Sequence, residues 1–324
     1  MLTNIFFIIV GIAVLYCGAK WLVGGSCGLA FRLGLTPLVV GLTVVAFGTS
    51  APELVVCLRL NGTGSPNAAV GNVVGSNICN ILLILGLSAL IRPIRVRQQV
   101  IRRELPILIL VSLILVAMLW DHELNVLEGT GLVAGIMFYV WSSLKLSAKG
   151  NLPEEFADEL DRTEEETVAT SMSTSRAVVL ILGGMVALIA GAEFFQKGGV
   201  ALAGNLGVSK AVIGLSVLAF GTSLPELATS IVACLKRQGD IIAGNAVGSS
   251  IFNILAILGV TVLVKPMHVP NISPVDLAVM VGVAVFGIAL MVSGKKLTRA
   301  GGGLMLIGYI AYIWLIAMRG VEGG

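Results

Sequence analysis

The chain has 324 residues, of which 21 are Lys or Arg and 18 are Asp or Glu, so 12% are charged against about 25% in an average soluble domain. With 56% hydrophobic residues and a mean hydropathy of +0.99, a water-soluble enzyme, a nucleic-acid binder and a disordered scaffold are all excluded. A net charge of +3 gives no ground for a polyanionic partner, and the composition is that of an integral membrane protein.

Taken in chain order, the sequence predicts ten apolar spans, each near the roughly 20 residues a helix needs to cross a bilayer: 2–22, 37–59, 68–91, 104–120, 126–146, 176–196, 211–235, 241–264, 275–293 and 301–319. The first lacks a basic leader, and Lys20 with Trp21 marks its interfacial end, so it reads as a span and not as a signal peptide. With the N-terminus outside, sixteen cations fall on the cytoplasmic side, most densely Arg92, Arg95, Arg97, Arg102 and Arg103. Only Arg59, Lys197, Lys210, Lys265 and Arg319 fall outside, as the excess of Lys and Arg in cytoplasmic loops requires. Segment 147–175 holds eight acids between Glu154 and Glu166. It lacks the ordered D-x-D-x-D-G spacing of a calcium loop and reads as a solvated cytoplasmic linker. The five cysteines are scattered without a C-x-x-C pair and read as packing residues.

The linker separates two halves that repeat. Residues 41–54, GLTVVAFGTSAPEL, match 214–227, GLSVLAFGTSLPEL; residues 71–81, GNVVGSNICNI, match 244–254, GNAVGSSIFNI. The offset is 173 throughout, from Gly48–Gly221 to Pro93–Pro266. This divides the chain into a first five-helix repeat (1–146, motif 41–81), the acidic linker (147–175) and a second five-helix repeat (176–324, motif 214–254). Five spans per half place equivalent helices across the membrane in opposite directions. The expected fold is therefore an all-α polytopic membrane protein of ten helices in two inverted repeats, the architecture of secondary transporters.

In each first motif a proline, Pro52 or Pro225, lacks an N–H and clashes with the carbonyl four residues back. Carbonyls near Ala46–Thr49 and Ala219–Thr222 are thereby freed from the helix ladder, which is tolerated at membrane depth only where they line a cavity or bind something. Glu53 and Glu226 follow one residue later; a charge there costs about 2.5–3.5 kcal/mol even on insertion scales, so a compensating cation or proton is implied. Asn72, Ser76 and Asn80, and their mates Asn245, Ser249 and Asn253, are spaced i, i+4, i+8 and share one helix face. Together with the hydroxyls of Thr49, Ser50, Thr222 and Ser223 these make an all-oxygen set without Cys or His, which disfavours zinc, copper and nickel. Calcium accepts six to eight oxygens in flexible geometry, whereas magnesium sheds water reluctantly; neutral hydroxyls and carbonyls also suit sodium.

GTSAPE with GNVVGSNICN, and GTSLPE with GNAVGSSIFN, resemble the two alpha-repeats of the calcium/cation antiporter superfamily, in particular its sodium/calcium exchanger branch. The resemblance covers nearly the whole chain. It implies alternating access to a central site in which Glu53 and Glu226 are calcium ligands shared with sodium and the carbonyls of Thr49 and Thr222 complete the calcium site. It further implies sodium positions at Ala46, Ser50, Ser76, Ala219, Ser223 and Ser249, with Asn80 and Asn253 flanking the centre. The short linker implies no regulatory domain, and the branch implies the inner membrane of a prokaryote. Three departures stand out: Asn253 is an aspartate in some relatives, including potassium-dependent ones, so this site has one acid fewer; Asn77 pairs with Ser250 across the repeat; and Lys20 stands where many relatives carry an acid that its mate Glu193 keeps, so that an ion pair or interfacial snorkelling is expected.

The expected activity is Na+/Ca2+ antiport, with Ca2+/H+ antiport by the same glutamates as the alternative and a passive cation channel as a weaker rival. Small cations and the lipid bilayer are the only partners expected, with no nucleic acid, no cofactor and no obligate protein partner. Residues 24–28, GGSCG, satisfy the G-x-S-x-G pattern. That pattern needs a strand–turn–helix with His and acid partners, and the two histidines, His122 and His268, fall in outer connections, so no enzyme is expected.

Overall fold

The computed structural model describes residues 1–149, 172–205 and 219–322. All eight linker acids, and residues 206–218 at the start of the second repeat's motif, lie outside the described residues, so the predicted span 211–235 is described only from Ala219 onward. The chain runs α1 (Leu2–Leu33), α2 (Pro37–Thr49), α3 (Ala51–Gly62), α4 (Pro66–Ile91), β1 (Ile94–Arg95), α5 (Val100–Asp121), β2 (Glu123–Leu124), α6 (Val126–Lys149), α7 (Thr174–Asn205), α8 (Ala219–Thr222), α9 (Leu224–Leu235), α10 (Gly239–Val264), β3 (Met267–His268), α11 (Pro274–Val292), β4 (Lys296–Leu297) and α12 (Arg299–Glu322).

Among the described residues eight helices, α1, α4 to α7 and α10 to α12, are long and apolar enough to cross a bilayer alone. Taken together, α2 and α3 are long and apolar enough for a ninth, bent by 42° where they meet. The predicted span 37–59 is broken at Ser50, where the proline of its motif interrupts the helix ladder, because Pro52 cannot extend the ladder of α2. The matching break at Ser223 separates α8 from α9; Ser50 (φ −84°, ψ 2°) and Ser223 (φ −88°, ψ 7°) share one backbone conformation. The result is a helical polytopic membrane fold.

Burial separates the helices into a centre and a shell. In the most apolar stretches of α4 and α10, 72% and 78% of residues are buried, against 22–39% in the other six long helices. These two are repeat mates and carry the Asn–Ser–Asn stripes. Each is wrapped by a helix from the other half: Gly86 of α4 sits against Gly302 of α12, and its mate Gly259 of α10 against Gly129 of α6. The two-residue ladders repeat the exchange. β1 pairs with β4 through Ile94–Leu297 and Arg95–Lys296, and β2 pairs with β3 through Leu124–Met267 and Glu123–His268; every pair in one ladder is the 173-residue image of a pair in the other. The ladders lie at opposite ends of α5, which connects β1 to β2 and spans about 33 Å at 1.5 Å per residue.

The 32-residue helices α1 and α7 run antiparallel along a seam of small residues. Gly18 lies against Gly184 and Leu188, Gly11 against Gly191 and Phe195, and Gly25 against Ala177 and Ile181. Backbones approach this closely only where side chains are absent, and van der Waals contact, not hydrophobic burial, holds helices together in lipid. That register places Lys20 and Glu193 about 14 Å apart along the helix axes. Both side chains are exposed and no ion pair joins them among the described residues, which leaves snorkelling to the interface.

The seam generates a paired test. A Cβ on Gly184 would stand 2.7 Å from the Leu22 backbone nitrogen, whereas one on Gly183 meets nothing nearer than Trp21 at 3.9 Å. We expect Gly184→Ala to lower stability by about 1–3 kcal/mol through overpacking, and Gly183→Ala to raise it by up to about 1 kcal/mol through helix propensity. Unfolding midpoints of the purified variants measure both; equal shifts would show that the seam is not closely packed.

Candidate functional site

The paired breaks deliver two acids to the middle of the molecule. Each opens a new 12-residue helix with proline in its first turn, and Glu53 and Glu226 occupy the first turns of α3 and α9. The partial positive charge of a helix N-terminus favours a carboxylate there. Both glutamates are 0% exposed. The carbonyls of Gly48 and Gly221, four residues before Pro52 and Pro225, have no helical N–H to accept from. Around the first break the Ala46 carbonyl accepts from the Ser50 N–H at 3.0 Å, the Thr49 hydroxyl at 3.3 Å and the Ser249 hydroxyl at 3.5 Å.

The central helices meet these breaks across the repeat. The Thr49 hydroxyl donates to Asn245 Oδ1 at 3.1 Å and lies 3.2 Å from the Ser249 hydroxyl. The Asn245 amide donates to the Glu226 carbonyl at 3.2 Å and to the Ser230 hydroxyl at 3.1 Å, tying α10 to α9. The mate of this arrangement is present in weaker form: Thr222 donates to Asn72 Oδ1 at 3.4 Å, and Asn72 to Cys57 Sγ at 3.5 Å. Asn245 is fully buried and Asn72 half-buried. Ser223 donates to Ser76 at 3.3 Å, while Ser50 donates to Glu226 Oε1 at 3.2 Å.

The structure therefore brings Thr49, Ser50, Ser249 and Glu226 into one bonded cluster with Ala46, and Thr222, Ser223 and Ser76 into its mate. Ala219 opens α8, and nothing further is described of its side chain. Asn80 and Asn253 depart from the simple stripe. Each lies in a π-helical stretch, Cys79–Ile84 or Asn253–Leu258, and their amides turn toward the other central helix, Asn80 to the Ser250 hydroxyl at 3.5 Å and Asn253 to Asn77 Oδ1 at 3.0 Å. Wider turns of this kind are frequent at functional sites.

Five buried side-chain oxygens of this cluster have no hydrogen-bond partner: Oε1 and Oε2 of Glu53, Oε2 of Glu226, Oδ1 of Asn80 and Oδ1 of Asn253. A buried acceptor without a donor costs about 1–3 kcal/mol, and more if charged. All five are acceptors only when the glutamates are ionised, so a donor or a cation is what they lack. Among the described residues no group of three or more His, Cys, Asp or Glu comes together that could hold a metal ion; the polar groups of the cluster are two carboxylates with amides, hydroxyls and backbone carbonyls.

Sequence reasoning passed over Asn77, Ser230 and Ser250 as site neighbours. Ser230 carries a readable signal, since it lies four residues after Glu226 and so on the same helical face. Its mate is Cys57, which hides the repeat.

The sodium/calcium exchanger protein family matches this chain over residues 3–145 and 176–318, one stretch in each half. The chain is 35% identical to the putative antiporter CaxA of Alkalimonas amylolytica, over 98% of this chain and 99% of that one. It is 27% identical to the sodium/calcium exchanger MaX1 of Methanosarcina acetivorans over 96% and 97%. Its fold superposes on the solved sodium-calcium exchanger NCX_Mj, soaked with sodium and strontium, with a TM-score of 0.81, at 30% identity and 98% coverage of both chains. Those relatives are transporters and not enzymes, and the chain belongs to the sodium/calcium exchanger protein family.

Proposed function

We propose that the protein exchanges Ca2+ for Na+ across the membrane by alternating access, with both ions held in turn at one midplane site built on Glu53 and Glu226. The carrying observation is the set of five buried, partnerless oxygens on two carboxylates and two amides. Around these acids, Thr49, Thr222, Ser50, Ser223, Ser76, Ser249, Asn80, Asn253, Ala46 and Ala219 complete the proposed ion site with hydroxyl, amide and backbone oxygens. Oxygen ligands of this number and flexibility suit calcium, and the neutral ones suit sodium. The names of MaX1 and NCX_Mj support the same pair of ions.

The proposed frame is ten helices in two inverted five-helix repeats, 1–146 and 176–324, joined by the linker 147–175. Two findings support it: repeat mates exchange partners at the Gly86–Gly302 and Gly259–Gly129 contacts and in both ladders, and the mate ladders lie at opposite ends of α5. The ladders differ in charge, with Arg95 opposite Lys296 at one end and Glu123 opposite His268 at the other. The cationic end fits the cytoplasm and the N-terminus the outside, in the inner membrane of a prokaryote, as the bacterial and archaeal relatives support.

Exchange follows from electrostatics. Moving the site across the membrane empty would carry two unpaired carboxylates through a low-dielectric barrier, at a cost of several kcal/mol each. A bound calcium ion, or sodium ions in its place, removes that cost, so the site crosses loaded in both directions and the two fluxes are coupled.

Sodium-loaded vesicles containing the protein should accumulate radiolabelled calcium, and Glu53→Gln should abolish uptake. Uptake driven by a pH gradient without sodium would replace sodium coupling with proton coupling, and uptake independent of any counter-ion would replace antiport with a channel. The same glutamate also has a cost in stability. In ion-free buffer we expect Glu53→Gln to be more stable than the parent by about 1–3 kcal/mol, because it buries an amide in place of an unpartnered charge. Added calcium should raise the unfolding midpoint of the parent alone; an equal rise in both would place the calcium elsewhere.

A further inference from the structure

Of the three mismatches in the second motif, the one between polar residues, Asn77 against Ser250, lies at the contact between the two central helices. Asn77, Asn80, Ser250 and Asn253 are all at most 2% exposed, so water does not settle their hydrogen bonds. Asn77 Nδ2 donates to the Ser250 backbone carbonyl at 3.1 Å, and Asn77 Oδ1 accepts from Asn253 Nδ2 at 3.0 Å. A carbonyl can only accept. The Asn77 amide must therefore turn its NH2 to Ser250 and its oxygen to residue 253, and residue 253 must donate. Asn253 does so, and is left with Oδ1 facing away from Asn77 without a partner. The second chain of bonds ends the same way: the Ser250 hydroxyl donates to the Ala246 carbonyl at 2.9 Å, its oxygen accepts from Asn80 Nδ2 at 3.5 Å, and Asn80 Oδ1 is left without a partner.

We propose that Asn77 and Ser250 are positioning residues that set the polarity of the Asn253 and Asn80 amides, so that both present a neutral oxygen to the ion and the site holds two formal negative charges, not three. Both relays are anchored on backbone carbonyls of α10, which cannot reverse. An ionised aspartate at 253 would put two acceptors face to face with Asn77. The absence of a third acid is thus enforced by the neighbour across the helix contact. The inference rests on the ion-site reading above and extends it to the site's charge.

The test is equilibrium binding of radiolabelled calcium to the purified, folded protein in sodium-free buffer, in a two-by-two set of Asn77→Leu and Asn253→Asp. Leucine removes the acceptor that demands a donor at 253. The effect of Asn253→Asp on affinity should be about tenfold or more favourable with Leu at 77 than with the native Asn, the worth of one relieved acceptor pair. A second arm needs no change at 77: Ser250→Ala should weaken binding, and Asn80→Asp, whose carboxylate needs no orientation, should restore it. A role in packing alone predicts no such rescue. If Asn253→Asp changes affinity by the same factor in both backgrounds, or Asn80→Asp fails to rescue Ser250→Ala, the relay is wrong. Glu53→Gln keeps the two readings apart: if it still binds calcium the ion-site reading fails, and if it does not, additive effects at 77 and 253 overturn the relay alone.

Discussion

Two carboxylates buried at membrane depth, with three of their four oxygens lacking any hydrogen-bond donor, are the constraint around which the molecule is organised. An ion in such a place is sustained only by compensation close at hand. The broken helices supply part of it, since each proline starts a new helix whose first turn holds the acid near backbone N–H groups. The central helices supply hydroxyl and amide oxygens instead of donors. A protein selected only for stability would place lysine or arginine there. This one leaves acceptors open, which makes sense if a mobile cation completes them.

The repeat explains how one chain builds such a site with few residues. Each contact set is used twice, and the site forms where the two uses meet: Thr49 reaches Asn245 as Thr222 reaches Asn72. The mates are not equivalent, however. Ser50 bonds Glu226, while its mate Ser223 bonds Ser76 and leaves Glu53 with neither oxygen partnered. Asn245 is sealed where Asn72 is half-buried. The proposed alternating mechanism would exchange these two unequal arrangements between the halves.

Most of this was legible in the sequence because lipid leaves few options. Charge is so costly in the bilayer that Glu53 and Glu226 stand out against an apolar background, and the constant offset of 173 pairs them without any structure. Eight of the spans, and the bent pair that covers 37–62, were readable for the same reason. The break at Ser50 was harder: proline announces that a ladder is interrupted, but the angle depends on what packs beside it. The π-helical stretches at Asn80 and Asn253 were not readable, since one extra residue in a turn leaves no mark on a hydrophobic pattern. The Asn77–Ser250 mismatch was visible as an asymmetry but unintelligible, because its meaning lies in which hydrogen-bond partners face each other across two helices 173 residues apart.

The central claim is that calcium and sodium occupy one shared site, and equilibrium binding tests it most directly. Purified protein should bind radiolabelled calcium at one site per chain, with sodium displacing it fully and Glu226→Gln eliminating it. Calcium that stays bound at saturating sodium, or binds equally well without Glu226, would contradict a shared site on the paired glutamates.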